Sequence, residues 1–399
     1  MSVASEITRL QNAKSDIKAS IENKGVTVGD GTIDTYASKI NEISTSSAVP
    51  QFTGNYDKIG LKTIGWSDEE INYYQKNGVQ WNNTEDEYFK LTDTELIGDD
   101  SQNTRFLPKN TTKKKFGNYY KLLAIPMLDT SSVTHMDSMF YNCNSLTTIP
   151  LLNTSSVTNM NGMFKGCNSL TTIPLLNTSS VTNMSSMFNA CSSLTTIPLL
   201  NTSSVTNMSS MFISCNSLTI IPLLNTSSVT NMNGMFNACS SLTTIPLLNT
   251  SSVTNMVNMF NGCNSLKTIP MLDTSGVTDM VNMFYACNSL TAIPMLDTSS
   301  VTDMSYMFYN CSSLTDFGGL ENLGQAYLTT QPANYSSYKL DLSQCKELTK
   351  QSLINVLNNL YDIATKGCNV QQVTLGATNI AKLTAEEIAV ATNKGWSVS

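Results

Sequence analysis

Between about Leu122 and Phe317 the apolar residues fall mostly three apart, as at Val133, Met136, Met139, Cys143, Leu146 and Ile149, and the spacing restarts every 24 residues, eight times. Valines recur at 133, 157, 181, 205, 229, 253, 277 and 301 without an insertion. A run of threes fits neither the 3.6 period of a long helix nor the alternation of a half-buried strand. It predicts a coil that turns its apolar side chains toward a common axis. A unit this small cannot bury its own apolar face, so successive coils must stack as a solenoid. The strand of each coil is expected at Leu146–Ile149 and its equivalents, because Thr and Ile suit a pleated surface and Pro150 lacks a ladder donor.

Outside the repeats the pattern changes. Residues 1–45 predict a small α-helical module, with Val3, Ile7, Leu10, Ile17 and Ile21 on a seam of alternating four and three spacings that Lys14 breaks, Gly25 to stop the first helix and a second near Ile33–Ile43. Residues 46–118 read as a Ser/Thr linker and an N-terminal cap that shields the first coil. The solenoid is assigned to 119–317. An α/β cap is expected over 318–399: a strand at Leu340 and Leu342, an amphipathic helix carrying Leu353, Val356, Leu357, Leu360 and Ile363, a strand at Val370–Leu375, and a helix opened by a Thr384/Glu387 capping box. Asn334–Tyr338 reads as a loop. The expected fold is a mainly β solenoid of eight coils with a helical N-terminal module and an α/β C-terminal cap.

Charge narrows the function. The net charge is −7, and from Leu151 to Leu266 the one charged residue is Lys165. That argues against a nucleic-acid groove, which needs clustered Lys and Arg, and favours neutral polar ligands such as sugars or peptide backbone. No apolar run of 18 residues and no leader pattern is present, so neither membrane insertion nor export by a signal peptide is expected. Eight of the ten cysteines, Cys143, Cys167, Cys191, Cys215, Cys239, Cys263, Cys287 and Cys311, share one inward repeat position. They predict a structural ladder of buried thiols, although coil stacking leaves pairing up the ladder open.

Chemistry is sparse. His135, the one histidine, occupies a slot filled by Asn159, Asn183 or Asp279 in other repeats. The cysteines have no histidine partner, and no Cys-x-x-Cys spacing is present for zinc. Asp273, Asp279, Asp297, Asp303 and Asp316 gather in the last repeats but form no calcium loop. No catalytic residue, metal site or cofactor is expected. The Asn-Thr-Ser runs at Asn153, Asn177, Asn201, Asn225 and Asn249 read as turn caps.

Two outward stripes are the binding candidates. One is Thr147, Thr171, Thr195, Thr219, Thr243, Lys267, Thr291 and Thr315. The other follows the Phe of each repeat: Tyr141, Lys165, Asn189, Ile213, Asn237, Asn261, Tyr285 and Tyr309, with Tyr306 nearby. Copies that are otherwise alike differ in this second stripe, which frees it for recognition. Its tyrosines suit a sugar ring or a protein contact.

The recurring Val-Thr-Asn-Met, Met-Phe, Cys and Ser-Leu-Thr-Thr-Ile, as at Val181–Met184, Met187–Phe188, Cys191 and Ser193–Ile197, resembles the BspA-like leucine-rich repeats of bacterial surface and phage tail proteins. That resemblance covers about half of the chain and implies a right-handed solenoid with a parallel sheet on one face and a binding role. The opening from Ile7-Thr8-Arg9-Leu10 to Ile43 resembles the N-terminal module of phage tail and virion-fibre proteins, and Leu383–Trp396 resembles the caps of phage-borne repeat proteins. Together they imply a virion protein made in the bacterial cytoplasm: a tail-fibre or receptor-binding adhesin for a host cell-surface glycan or protein. They further imply attachment to other virion proteins through residues 1–45 and a homo-oligomer, a trimer being the form that suits a fibre. The alternatives are a structural head-fibre, decoration or baseplate protein, a hydrolase of surface polysaccharide, and a bacterial surface adhesin.

Overall fold

In the computed structural model the described residues are 116–122, 125, 130–326, 339–366 and 368–399; the expected N-terminal module, the linker and the loop at Asn334–Tyr338 lie outside them. The repeats are chains of tight turns. Between Met160 and Cys167 every amide has an acceptor, and the acceptors alternate. Met160, Gly162, Phe164 and Gly166 donate to Asn183, Ser185, Met187 and Asn189 of the next coil at 2.7–2.9 Å. Met163, Lys165 and Cys167 donate three residues back within their own coil, and Asn161 donates to Asn159 Oδ1. A coil therefore satisfies its backbone only when the next one is in place.

This path needs two left-handed residues per repeat, four apart. They are Gly162 and Gly166 (φ 58° and 80°), Ser186 and Ala190, Ser210 and Ser214, Gly234 and Ala238, and so on to Tyr306 and Asn310. Gly and Asn tolerate that region; Ser, Ala and Tyr occupy it at a cost of about 1 kcal/mol or more.

Inside, each repeat contributes identical atoms to identical places. One phenylalanine ring per repeat stacks on the next, from Phe116 through Phe140 and Phe164 to Phe308, with centroids 5.6–5.9 Å apart. Phe317 closes the column at a tilt. The valines, methionines and leucines of the sequence pattern are buried around it. Thr154, Thr178, Thr202 and their equivalents are also buried, each hydroxyl donating to the Asn, Asp or, for Thr298, Glu321 carbonyl of the next coil, as from Thr154 to Asn177 (2.7 Å).

The strands expected at Leu146–Ile149 and its equivalents form only in the last coils. Leu146–Ile149 and its equivalents are irregular through most of the repeats. Among the described residues of the repeats, paired strands of two residues form at the C-terminal end, where β1 (Ala292–Ile293) joins β3 (Asp316–Phe317) and β2 (Leu296–Asp297) joins β4 (Leu320–Glu321), both parallel. The proline that follows each Ile withholds the amide the ladder needs, so the expected sheet cannot propagate. The continuous ladder of bridges runs instead through the asparagine slot, from His135 and Asn159 to Asp279 and Asp303.

Beyond the repeats, β5 (Lys339–Asp341), α1 (Lys350–Asn358), β6 (Gln371–Thr374), α2 (Ala377–Ile380), α3 (Ala385–Asn393) and β7 (Trp396–Val398) build a cap with a parallel β5-β6-β7 sheet. The expected capping box of Thr384 and Glu387 opens α3. The first helix is shorter than its apolar pattern suggests: it stops at Asn358, and Leu360 leaves it to bridge Leu323. The cap continues the coil chemistry. Cys345 donates toward the Phe308 carbonyl, Thr349 toward Thr315, and the buried Asn379 amide reaches the carbonyls of Leu342, Cys345 and Leu375 at 3.1–3.3 Å.

Candidate binding surfaces

The cysteine ladder is internal. In the solenoid each Sγ–H donates to the Phe carbonyl of the preceding coil, as from Cys167 to Phe140 (3.1 Å), and all ten thiols are free. Burial pushes Cys143, Cys239 and Cys287 up to about 12 and raises the others of the ladder as well. Thiols held protonated in this way are poor nucleophiles. His135 joins the bridge ladder and lies 3.0 Å from the Thr134 hydroxyl. Asp279 has its carboxyl raised by burial and by neighbouring Asp303. Among the described residues no group of three acidic, histidine or cysteine side chains is placed to hold a metal.

The threonine stripe is mostly exposed, and Thr171, Thr195, Thr243, Lys267 and Thr291 donate amides to the equivalent carbonyl one coil back. Those bonds are long, 3.3–3.4 Å, through Lys267 and tighten to 2.9 Å at Thr291. Thr147 and Thr219 supply the carbonyls for the first and middle steps.

The second stripe separates into two ends. At one, the Lys165 ammonium sits 5.8 Å from the Tyr141 ring centroid. At the other, Tyr285 stacks on Tyr309 (5.0 Å) and Tyr306 meets Tyr309 edge-on (6.3 Å, 78°). Tyr306 and Tyr309 remain 66% and 44% exposed, so they do not serve as core under the cap. Asn189, Ile213, Asn237 and Asn261 lie between the ends, so Tyr141 and Lys165 do not join the tyrosine cluster. Tyr306 occupies a left-handed slot (φ 57°) that other repeats fill with Ser, Gly or Asn.

A third surface was not among the sequence expectations, which named only the threonine stripe and the stripe after each Phe. The residue after each repeat proline points to solvent: Leu151, Leu175, Leu199, Leu223, Leu247, Met271 and Met295 are 37–68% exposed. From Leu175 to Ser179 burial alternates, with Leu176 and Thr178 inward and Leu175, Asn177 and Ser179 outward. The asparagines beside the stripe cap turns as expected, Asn153 Oδ1 accepting from the Ser155 amide and hydroxyl. At the C-terminal end they give way to Asp273, Asp297 and Glu321, and an open groove of about 880 Å³ lies among these carboxylates and Leu247, Met271 and Met295. Hydrogen bonds from Ser275 hold the Asp273 carboxyl below the usual carboxylate range. The signal for this stripe was periodic apolar residues next to proline, which a count of hydrophobic positions assigns to the core by default.

Stacked coils, internal ladders and outward stripes define a repeat solenoid. The chain belongs to the family described as Mycoplasma protein of unknown function, DUF285, whose model matches residues 110–221, 196–268 and 219–321. No curated protein matches it. Similar solved structures include a Treponema pallidum leucine-rich repeat protein (20% identity, 52% of this chain and 76% of that one, TM-score 0.25). A Bacteroides ovatus leucine-rich repeat protein (17%, 74% and 88%, 0.31) and a Faecalibacterium prausnitzii leucine-rich cell surface protein (19%, 54% and 83%, 0.23) are others. Scores this low do not establish a shared fold; the solenoid is defined by this chain's own ladders and stacked rings.

Proposed function

We propose that this chain is a non-catalytic binding protein and, following the resemblance of residues 1–45, a phage virion adhesin of the tail-fibre or receptor-binding type. The solenoid engages a host-surface glycan or protein, and the N-terminal module joins other virion proteins in a homo-oligomer. The observation that carries the reading is the open cluster of Tyr285, Tyr306 and Tyr309. Two rings in a stack with a third at right angles offer an aromatic floor and wall to a sugar ring or an apolar anchor, with phenol hydroxyls at the rim. A bulky residue held in a left-handed slot at that cluster marks strain kept at a recognition site. Copies on one particle multiply a weak contact into avidity.

The test is binding of the purified full chain to host cells and envelope glycans. The double variant Tyr306→Asn with Tyr309→Asn is expected to weaken it by roughly tenfold or more, about 1.4 kcal/mol. Unchanged binding by that variant, or none by the parent, sinks the reading. The family's description names a mycoplasma protein, which favours a second reading, a bacterial surface adhesin using the same patch. Antibody labelling of particles against cell envelopes separates the two.

A further inference from the structure

We propose that the C-terminal part of the exposed Leu/Met stripe receives a cationic amphipathic α-helix of a partner protein, at a surface separate from the tyrosine cluster. Three observations converge. First, the stripe is continuous: one exposed Leu or Met per coil from Leu151 to Met295, in a domain that buries its other repeated leucines almost completely. An exposed apolar row of this length is what a partner covers. Second, charge is placed at one end. Asp273, Asp297 and Glu321 line the groove with Met271 and Met295, and among the described residues none of the three carboxylates has an ion pair. A ligand that fills this groove must bring its own cations. Hydrogen bonds from Ser275 favour the ionised form of the exposed Asp273 carboxyl.

Third, the spacing selects the partner's conformation. Backbone ladders repeat at about 4.8 Å, and the stacked rings of this core at 5.6–5.9 Å. The α-helical pitch of about 5.4 Å falls between them, so a helix laid along the stripe presents one apolar residue per turn to each coil. An extended peptide repeats its same-face residues at about 6.8 Å and loses register by a whole coil after three or four pairs. Lys or Arg flanking the apolar face of the helix would meet the carboxylates, whereas an anionic membrane would be repelled by them. Met271 and Met295, which replace the leucines at this end, adapt to differing apolar faces.

The experiment titrates the full chain into a fluorescein-labelled peptide of about 18 residues, five helical turns, made only of Leu and Lys with Leu at helical spacing. A peptide of the same composition with strictly alternating Leu and Lys is the control, and vesicles of neutral and of anionic lipid are further arms. The helical-period peptide is expected to bind roughly tenfold more tightly than the alternating one. Met271→Lys with Met295→Lys, and separately Asp273→Asn with Asp297→Asn and Glu321→Gln, should each weaken it by roughly tenfold, whereas Leu151→Lys should cost less than threefold. All these side chains but the half-buried Asp297 are exposed, and the carboxamide variant keeps the test open if the lysine variant does not fold. Equal binding of the two peptides, binding untouched by both variants, or stripe-dependent binding of vesicles in place of the peptide overturns the proposal. Tyr306→Asn leaves this binding unchanged, so its result and that of the glycan assay stand apart.

Discussion

Gly318 donates its amide to the carbonyl of Ile293 at 2.9 Å, in the repeat slot where Pro150, Pro174 and their successors through Pro294 have no amide to give. That one bond lets β1 and β3 pair where earlier coils cannot, and it ties the last repeat to the cap. A Cβ at Gly318 would lie 2.4 Å from the Met295 amide nitrogen and 2.8 Å from the Pro294 carbonyl carbon.

Gly318→Ala should therefore destabilise the junction by about 1–3 kcal/mol through forced backbone movement, and Gly318→Pro by more, since it also removes the bond. Limited proteolysis between repeats and cap, with a thermal melt, measures this. A melt unchanged for both variants would show the junction to be unimportant.

Phe212 sits mid-column, fully buried between Phe188 and Phe236. Phe212→Ala should cost about 3–5 kcal/mol, and Phe212→Leu clearly less. Because coils couple only to neighbours, hydrogen exchange should speed up around residues 188–236 more than at either end. Uniform acceleration would argue against nearest-neighbour coupling.

The alanines in left-handed slots are misfits. Ala190→Gly, Ala238→Gly and Ala286→Gly (φ 57–61°) should each stabilise by about 1 kcal/mol, seen as a raised denaturation midpoint. Tyr306→Asn should likewise keep or raise stability while weakening ligand binding; loss of both would make Tyr306 a structural residue.

Alkaline stability follows from the thiols. Burial holds Cys239 and Cys287 up at about 12, against about 8.5 for an unfolded cysteine. The unfolded chain loses these protons first, so their contribution is complete below about pH 8.5 and disappears as pH rises toward 12, at about 1.4 kcal/mol per pH unit per thiol. Thiolate absorbance should appear together with loss of the circular dichroism signal, and Cys239→Ala should flatten the pH dependence. Thiolate formation near pH 8.5 in the intact fold would contradict the buried ladder.

Much of the core was legible in the sequence because a 24-residue period leaves little freedom: Val133, Met136, Met139, Cys143 and Leu146 are spaced for one interior, and the structure buries them all. The slots at Gly162 and Gly166 could also have been found, since the residues before each Met and Cys are nearly all Gly, Asn, Ser or Ala. The post-proline stripe could not, because hydrophobicity says that a side chain prefers burial and not that the coil has room for it.

The amino-acid sequence by itself determined that this chain stacks repeats around a thioether, aromatic and thiol interior, because no single repeat holds enough apolar surface to fold alone. Tertiary structure decided which backbone positions form the ladder, since proline withholds amides that composition would assign to a sheet. It also decided that Leu151 to Met295 face outward, because the buried Thr and Leu beside them already fill the coil's interior.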